Sequence, residues 1–138
     1  MRLISIAFPL ALSICIVNQK SAAQSADLYG VWKPVKEEMG GKVIASSAFE
    51  TQKLTLAESN YIFVAESVDK GVVRYKENKM DIYGREGINQ GKHFTAIYKY
   101  ENNLLTICYN LLGDTYPKGF ETTGKPLLFL CVFKKEGE

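Results

Sequence analysis

Ala96-Ile97-Tyr98-Lys99-Tyr100-Glu101-Asn102-Asn103-Leu104-Leu105-Thr106-Ile107-Cys108-Tyr109 reads as two alternating strands that meet at a pair of asparagines. A two-residue hairpin turn of the primed kind needs φ > 0 at both central positions, and Asn tolerates this better than most residues. With Asn102-Asn103 in those positions, Glu101 faces Leu104, Tyr100 faces Leu105, Tyr98 faces Ile107, Ala96 faces Tyr109 and Phe94 faces Leu111. Side chains alternate along a strand with period two, so the pairs from Tyr100–Leu105 to Phe94–Leu111 share one aromatic and apolar face. The other face carries Lys99 opposite Thr106, Ile97 opposite Cys108 and Thr95 opposite Asn110. A slip of one residue would turn the aromatic face to water, so the register is well specified.

Two more hairpins lie upstream. Leu54-Thr55-Leu56 and Tyr61-Ile62-Phe63-Val64 flank a turn around Glu58-Ser59-Asn60 and present Leu54, Leu56, Tyr61 and Phe63 on one face. With Glu77-Asn78 as the next turn, Tyr75 faces Met80, Val73 faces Ile82 and Arg74 faces Asp81, a cross-strand pair of opposite charge. A strand-like run follows Asp27–Trp32 and continues through Lys36, and the final Leu127–Phe133 stretch is apolar on both faces, as a strand covered on both sides would be. Glu37 to Gln52 and Gly84 to Gly91 read as loops, the first with a short helical turn over a barrel mouth. Leu112 to Pro126, rich in Gly, Pro and Thr, is a long connection that crosses a barrel end or carries function. Seven or eight short strands at this spacing, with no long amphipathic helix, predict an all-β, antiparallel up-and-down β-barrel of about eight strands, whose closure removes exposed edges.

The 138 residues suffice for one domain. Residues 1–23 read as a signal peptide: Met1-Arg2 is basic, Leu3–Val17 is apolar, and Ser21-Ala22-Ala23 supplies small residues for cleavage. The apolar run falls short of the ~20 residues a spanning helix needs, and no other stretch in the mature chain is long or apolar enough. The barrel domain is therefore residues 24–138, exported to the periplasm or the exterior. Leu12-Ser13-Ile14-Cys15 partly matches a lipid-attachment signal, but Ile14 stands where a small residue belongs, so ordinary cleavage is favoured over an anchor on Cys15. The leader holds Arg2 and Lys20 and no acid, so the 17 basic residues of the chain drop to 15 and balance its 15 acidic ones. A neutral, well-mixed domain gives no electrostatic reason to expect nucleic acid as a partner.

Leu28-x-Gly30-x-Trp32, Met80-Asp81-Ile82, Gly91-Lys92 ahead of Ala96-Ile97-Tyr98, Leu105-Thr106-Ile107-Cys108-Tyr109, Gly113, Pro117-x-x-Phe120 and a closing strand ending in Lys134-Lys135 together resemble the lipocalin-like domains common in planctomycetes and other bacteria. The resemblance spans about Asp27 to Lys135 and implies a lipocalin-like barrel. It also implies structural roles for Gly30 and Trp32, the Trp lying across one barrel end beneath a cation from the last strand, either Lys134 or Lys135. Where the family has Arg-Pro this chain has Tyr116-Pro117, so no role of that arginine carries over. The family supplies a fold and no assigned chemistry.

Catalysis finds little support in the residues. The mature chain has one histidine, His93, and lacks a Gly-x-Ser-x-Gly nucleophile motif, a Cys-x-x-Cys pair and a Gly-rich phosphate loop, so no enzyme, metal or cofactor is expected. Cys108 and Cys131 invite a disulfide in an oxidising compartment. A bridge needs Cα atoms within ~7 Å and side chains on one face. The two-sided last strand leaves open whether Cys131 faces Cys108 or points inward with Phe129 and Phe133. The inward aromatic set Tyr61, Phe63, Tyr75, Phe94, Tyr98 and Tyr109 predicts a cavity that binds a small hydrophobic or amphipathic molecule. The alternative is a barrel filled by those same side chains, serving as a cell-envelope structural or interaction module, or an inhibitor, through its loops. The oligomeric state is not legible.

Overall fold

The structure is a computed structural model that describes residues 25–137. The leader, its cleavage after Ala23 and the Cys15 alternative lie outside the described residues. Nine strands follow in chain order: β1 (Gly30–Met39), β2 (Lys42–Val43), β3 (Lys53–Leu56), β4 (Asn60–Val64), β5 (Val68–Lys76), β6 (Lys79–Glu86), β7 (His93–Glu101), β8 (Leu104–Asn110) and β9 (Leu128–Lys135). Every pairing is antiparallel; β1 pairs with β3, and each strand from β3 to β8 pairs with the next. β9 then returns to β1, from Trp32 opposite Lys135 to Met39 opposite Phe129, and closes the sheet. Only β2, a two-residue hairpin extension of β1, stands outside the eight-stranded ring. The chain is the closed, antiparallel up-and-down barrel that its alternation predicts, consistent with the lipocalin-like barrel that the resemblance implies.

The central hairpin keeps the predicted register, Tyr98 opposite Ile107 and Ala96 opposite Tyr109, about a turn with φ of 54° at Asn102 and 63° at Asn103. Leu54 opposes Phe63 and Leu56 opposes Tyr61. Val73 opposes Ile82 and Tyr75 opposes Met80, with φ of 57° at Glu77 in the turn. Two strands run further than the pattern indicates. β1 continues past Lys36 to Met39, followed by β2 and a 3₁₀ turn at Ser46–Ala48, and β6 continues to Glu86 through what reads as a loop from Gly84.

A register shift between Pro34 and Lys36 breaks the alternation of β1. An inserted residue turns all later side chains to the opposite face. Trp32 and Pro34 are buried, Val35 and Lys36 are exposed, and Glu37 is buried in the place that strict alternation gives Lys36.

One barrel end is sealed. Leu28 and Trp32 are 0% exposed, and the Trp32 Nε1–H donates to the Leu28 carbonyl at 2.8 Å. Tyr100 meets the indole edge-on at 5.8 Å, and the Lys135 ammonium lies 5.7 Å from the ring centroid. Lys135 is thus the covering cation, while the exposed Lys134 pairs with the exposed Lys33.

The long connection between β8 and β9 crosses neither barrel end. It packs Tyr116 and Phe120 against Ile97, Cys108 and Leu130, and so straps the outer wall of β7, β8 and β9. This second small core is why the outer face of the central hairpin is apolar at Ile97 and Cys108. Thr122 fastens the strap: its hydroxyl accepts from the Gly41 N–H at 2.9 Å and donates to a Glu38 carboxylate oxygen.

Candidate functional site

The barrel interior is not filled. A cavity of about 440 Å³ lies among the inward side chains, within the ~300–1,000 Å³ range of small-molecule sites. Leu54, Leu56, Val73, Met80, Ile82 and Ile107 form its aliphatic walls, and Phe63, Phe94, Phe129 and Phe133 its aromatic ones. Asn89, Lys92 and Leu111, each at least partly exposed, mark the mouth, opposite the Trp32 seal. Exposed apolar residues gather around that mouth, Val43, Val64 and Val68 at strand ends and Ile88, Leu112 and Leu127 in the connections, with Ile88 at 72% exposure.

Of the six aromatic residues expected to line a cavity, four do: Tyr61, Phe63, Phe94 and Tyr109. Tyr75 and Tyr98 instead pack the sealed end and lie outside the cavity lining. Their rings meet edge-on at 6.4 Å, and their hydroxyls donate to turn carbonyls, Tyr75 to Ala57 at 3.0 Å and Tyr98 to Glu77 at 2.7 Å. The same alternation governs all six residues. Depth along the barrel separates them, and depth follows from strand tilt and stagger.

The cavity also holds polar groups that inspection of the aromatic pattern misses. Glu37 and Asp69, each 5% exposed, both line it. Asp69 Oδ2 accepts from the Tyr61 hydroxyl at 3.1 Å and the Asn89 amide at 2.9 Å, while Oδ1 is buried without a hydrogen-bond partner. Among the described residues, the hydrogen-bond donor to the Glu37 carboxylate is the Cys131 thiol, at 4.0 Å. Burial raises the Glu37 carboxyl above its ordinary 4.5, because desolvation disfavours the charged form. Burial, then the Asp69 charge, pushes the Tyr61 hydroxyl well up, and burial followed by the Cys131 and Glu37 charges does the same to Tyr109. Both phenols therefore stay protonated near neutral pH and can donate. Asp69 was legible, since alternation back from Tyr75 and Val73 puts residues 71 and 69 inward. Glu37 was hidden by the β1 bulge.

The disulfide does not form: Cys108 and Cys131 are free, buried thiols. In the β8–β9 ladder Cys108 opposes Leu130 and Ile107 opposes Cys131, so adjacent rungs put the two sulfurs on opposite faces. Cys131 lines the cavity, and Cys108 lies under the strap.

On the outer wall, Arg74 opposes Asp81 as the sequence predicts, yet Asp81 bonds elsewhere. One of its oxygens lies 2.7 Å from His93 Nε2, and the other accepts from the Tyr116 hydroxyl. Arg74 sits 5.5 Å from the Tyr83 ring, which stacks on His93 at 4.5 Å. Tyr116 thereby ties the strap to β6, and donating that bond to Asp81 raises its own pKa to about 12. Among the described residues no cluster of three or more His, Cys, Asp or Glu is arranged to hold a metal, and no helix is long and apolar enough to cross a membrane. Comparison with known protein-family models, curated proteins and solved structures gives no significant match to this chain.

Proposed function

We propose that this is an exported, non-catalytic, lipocalin-like carrier that binds a small hydrophobic or amphipathic molecule in its barrel. The observation that carries the reading is the cavity of about 440 Å³, blind at the Trp32 end and apolar over most of its wall. Apolar surface of this kind favours an apolar guest over water by about 25 cal/mol per Å² removed from solvent. The exposed apolar residues around the mouth support entry of such a guest from that end. An unfilled interior weighs against the solid-barrel alternative, and the leader-like residues 1–23 support export.

Fluorescence titration with the neutral probe N-phenyl-1-naphthylamine tests the reading. The protein should enhance and blue-shift the emission saturably, and Ile82→Trp, which fills the cavity, should abolish this while near-ultraviolet circular dichroism still reports a folded barrel. Absence of saturable binding by the unmodified protein would refute the carrier reading.

A further inference from the structure

We propose that the ligand carries a protonated amine, seated by the carboxylates of Asp69 and Glu37 while its apolar body fills the rest of the cavity. This rests on the carrier reading above and specifies the chemistry of its guest.

Two carboxylates line one apolar cavity, each 95% removed from solvent, and neither has a salt-bridge partner among the described residues. A buried carboxylate is costly unless a cation or several donors compensate it. The one cationic side chain of the lining, Lys92, is exposed at the mouth. The positive charge that would balance the interior is therefore missing among the described residues, and a ligand can supply it.

The arrangement at Asp69 is more specific than a pool of negative charge. Tyr61 and Asn89 both donate to Oδ2, which fixes the carboxylate, and Oδ1 is buried with no donor. An ammonium brings three donors and a full charge, which suits a carboxylate left with one oxygen unsatisfied. The aromatic rings of Phe63, Phe94 and Phe129 in the same wall favour a cation over an anion as well. A fatty-acid-like guest would place a third carboxylate at or near the two already present. The volume is that of roughly 15 waters at ~30 Å³ each, which sets the scale of the guest at a similar number of non-hydrogen atoms.

Calorimetric titration of the purified protein at pH 7 with decylamine, 1-decanol and decanoate, which share one chain length and differ in headgroup, tests the proposal. Decylamine should bind about tenfold or more tightly than decanol, the scale of one charge-assisted hydrogen bond, and decanoate should bind most weakly. In Asp69→Asn and, independently, Glu37→Gln, the amine-to-alcohol ratio should fall toward one, with circular dichroism checking that each variant folds. The wild-type ratio needs no variant and stands as a test by itself. Decanol binding as tightly as decylamine, or a ratio unchanged in both variants, would overturn the proposal and leave the carrier reading in place. Failure of all three probes, and of the neutral dye, would remove both.

Discussion

Cys108 and Cys131 belong to paired strands and yet occupy opposite faces of the barrel wall, because Cys131 stands opposite Ile107, the neighbour of Cys108. Burial pushes the Cys108 thiol up to about 11 and the Cys131 thiol further still, the latter also feeling the Glu37 charge. The thiolate is the reactive form, so neither sulfur is a nucleophile near neutral pH. Denatured, unreduced protein freed of residues 1–23 should titrate as two thiols with Ellman's reagent, and the native protein as close to none at pH 8. A native-state reaction as fast as that of the denatured chain would contradict the burial of both.

Glu37 sets a pH dependence with a definite sign. Its folded pKa is raised above 4.5, so between 4.5 and the raised value the folded protein holds more protons than the unfolded chain. Stability from this group is then lost as pH rises through that window, and no cost is present below 4.5, where both states are protonated. Glu37→Gln removes the penalty. Urea unfolding should show the variant gaining on the wild type as pH rises from 4 to 7, with the difference shrinking toward nothing at pH 4. Comparing the two proteins isolates Glu37 from the exposed Glu136, whose pKa is lowered by Lys53 and Lys33 and works in the opposite sense.

The parts of this fold that were legible in the sequence are those where one local rule decides. Asn102-Asn103 imposes a turn, and that turn sorts every residue from Thr95 to Asn110. Features that depend on a break in the rule were not legible. The bulge in β1 has Pro34 as its one marker, a residue strands admit at edges and bulges alike, so the sequence does not say which residue is inserted; the insertion exchanges Lys36 for Glu37 inside the barrel and so changes the charge of the cavity. Tyr75 and Tyr98 obey the alternation and still miss the cavity, because period two reports the face of a sheet and not the depth within a barrel. Ile97 and Cys108 looked like apolar residues on an outer face, and only the path of the strap explains them.

Thr122 gives a test of that strap. It is 0% exposed, and its hydroxyl joins the Gly41 N–H to Glu38. Thr122→Val keeps the shape and strands both partners, which should cost about 1–3 kcal/mol. Urea unfolding measures the loss, and hydrogen exchange at Gly41 should accelerate in the variant.

At the sealed end, Trp32→Ala should cost about 3–5 kcal/mol, the usual penalty for truncating a fully buried large aromatic residue. Lys135→Met keeps the aliphatic stem and removes the charge over the indole, which should cost about 0.5–2 kcal/mol. Denaturant midpoints of the two variants should therefore rank wild type, Lys135→Met, Trp32→Ala. Loss of the indole should also open the blind end, so the neutral dye should bind Trp32→Ala more weakly than the wild type.

Gly71 and Gly119 make a contrast that joins stability to the cavity. A Cβ at Gly71 would lie 1.9 Å from the Tyr83 carbonyl oxygen and 2.8 Å from the Tyr61 ring, whereas one at Gly119 meets nothing within 4 Å. The first obstacle is backbone in the paired strand β6, which cannot move aside without breaking the ladder at the Lys70/Gly71 register shift. The second is the ring whose hydroxyl holds Asp69 in place. Gly71→Ala should therefore destabilise the barrel by about 2 kcal/mol or more, in the range of overpacked cores. It should also displace Tyr61 and lower the amine-to-alcohol ratio of ligand affinity. Gly119→Ala should stay within about 0.5 kcal/mol of the wild type, as surface substitutions do, and leave that ratio unchanged. Equal unfolding midpoints for the two alanine variants would mean that β5 and β6 do not approach each other as closely at Gly71 as the structure has them.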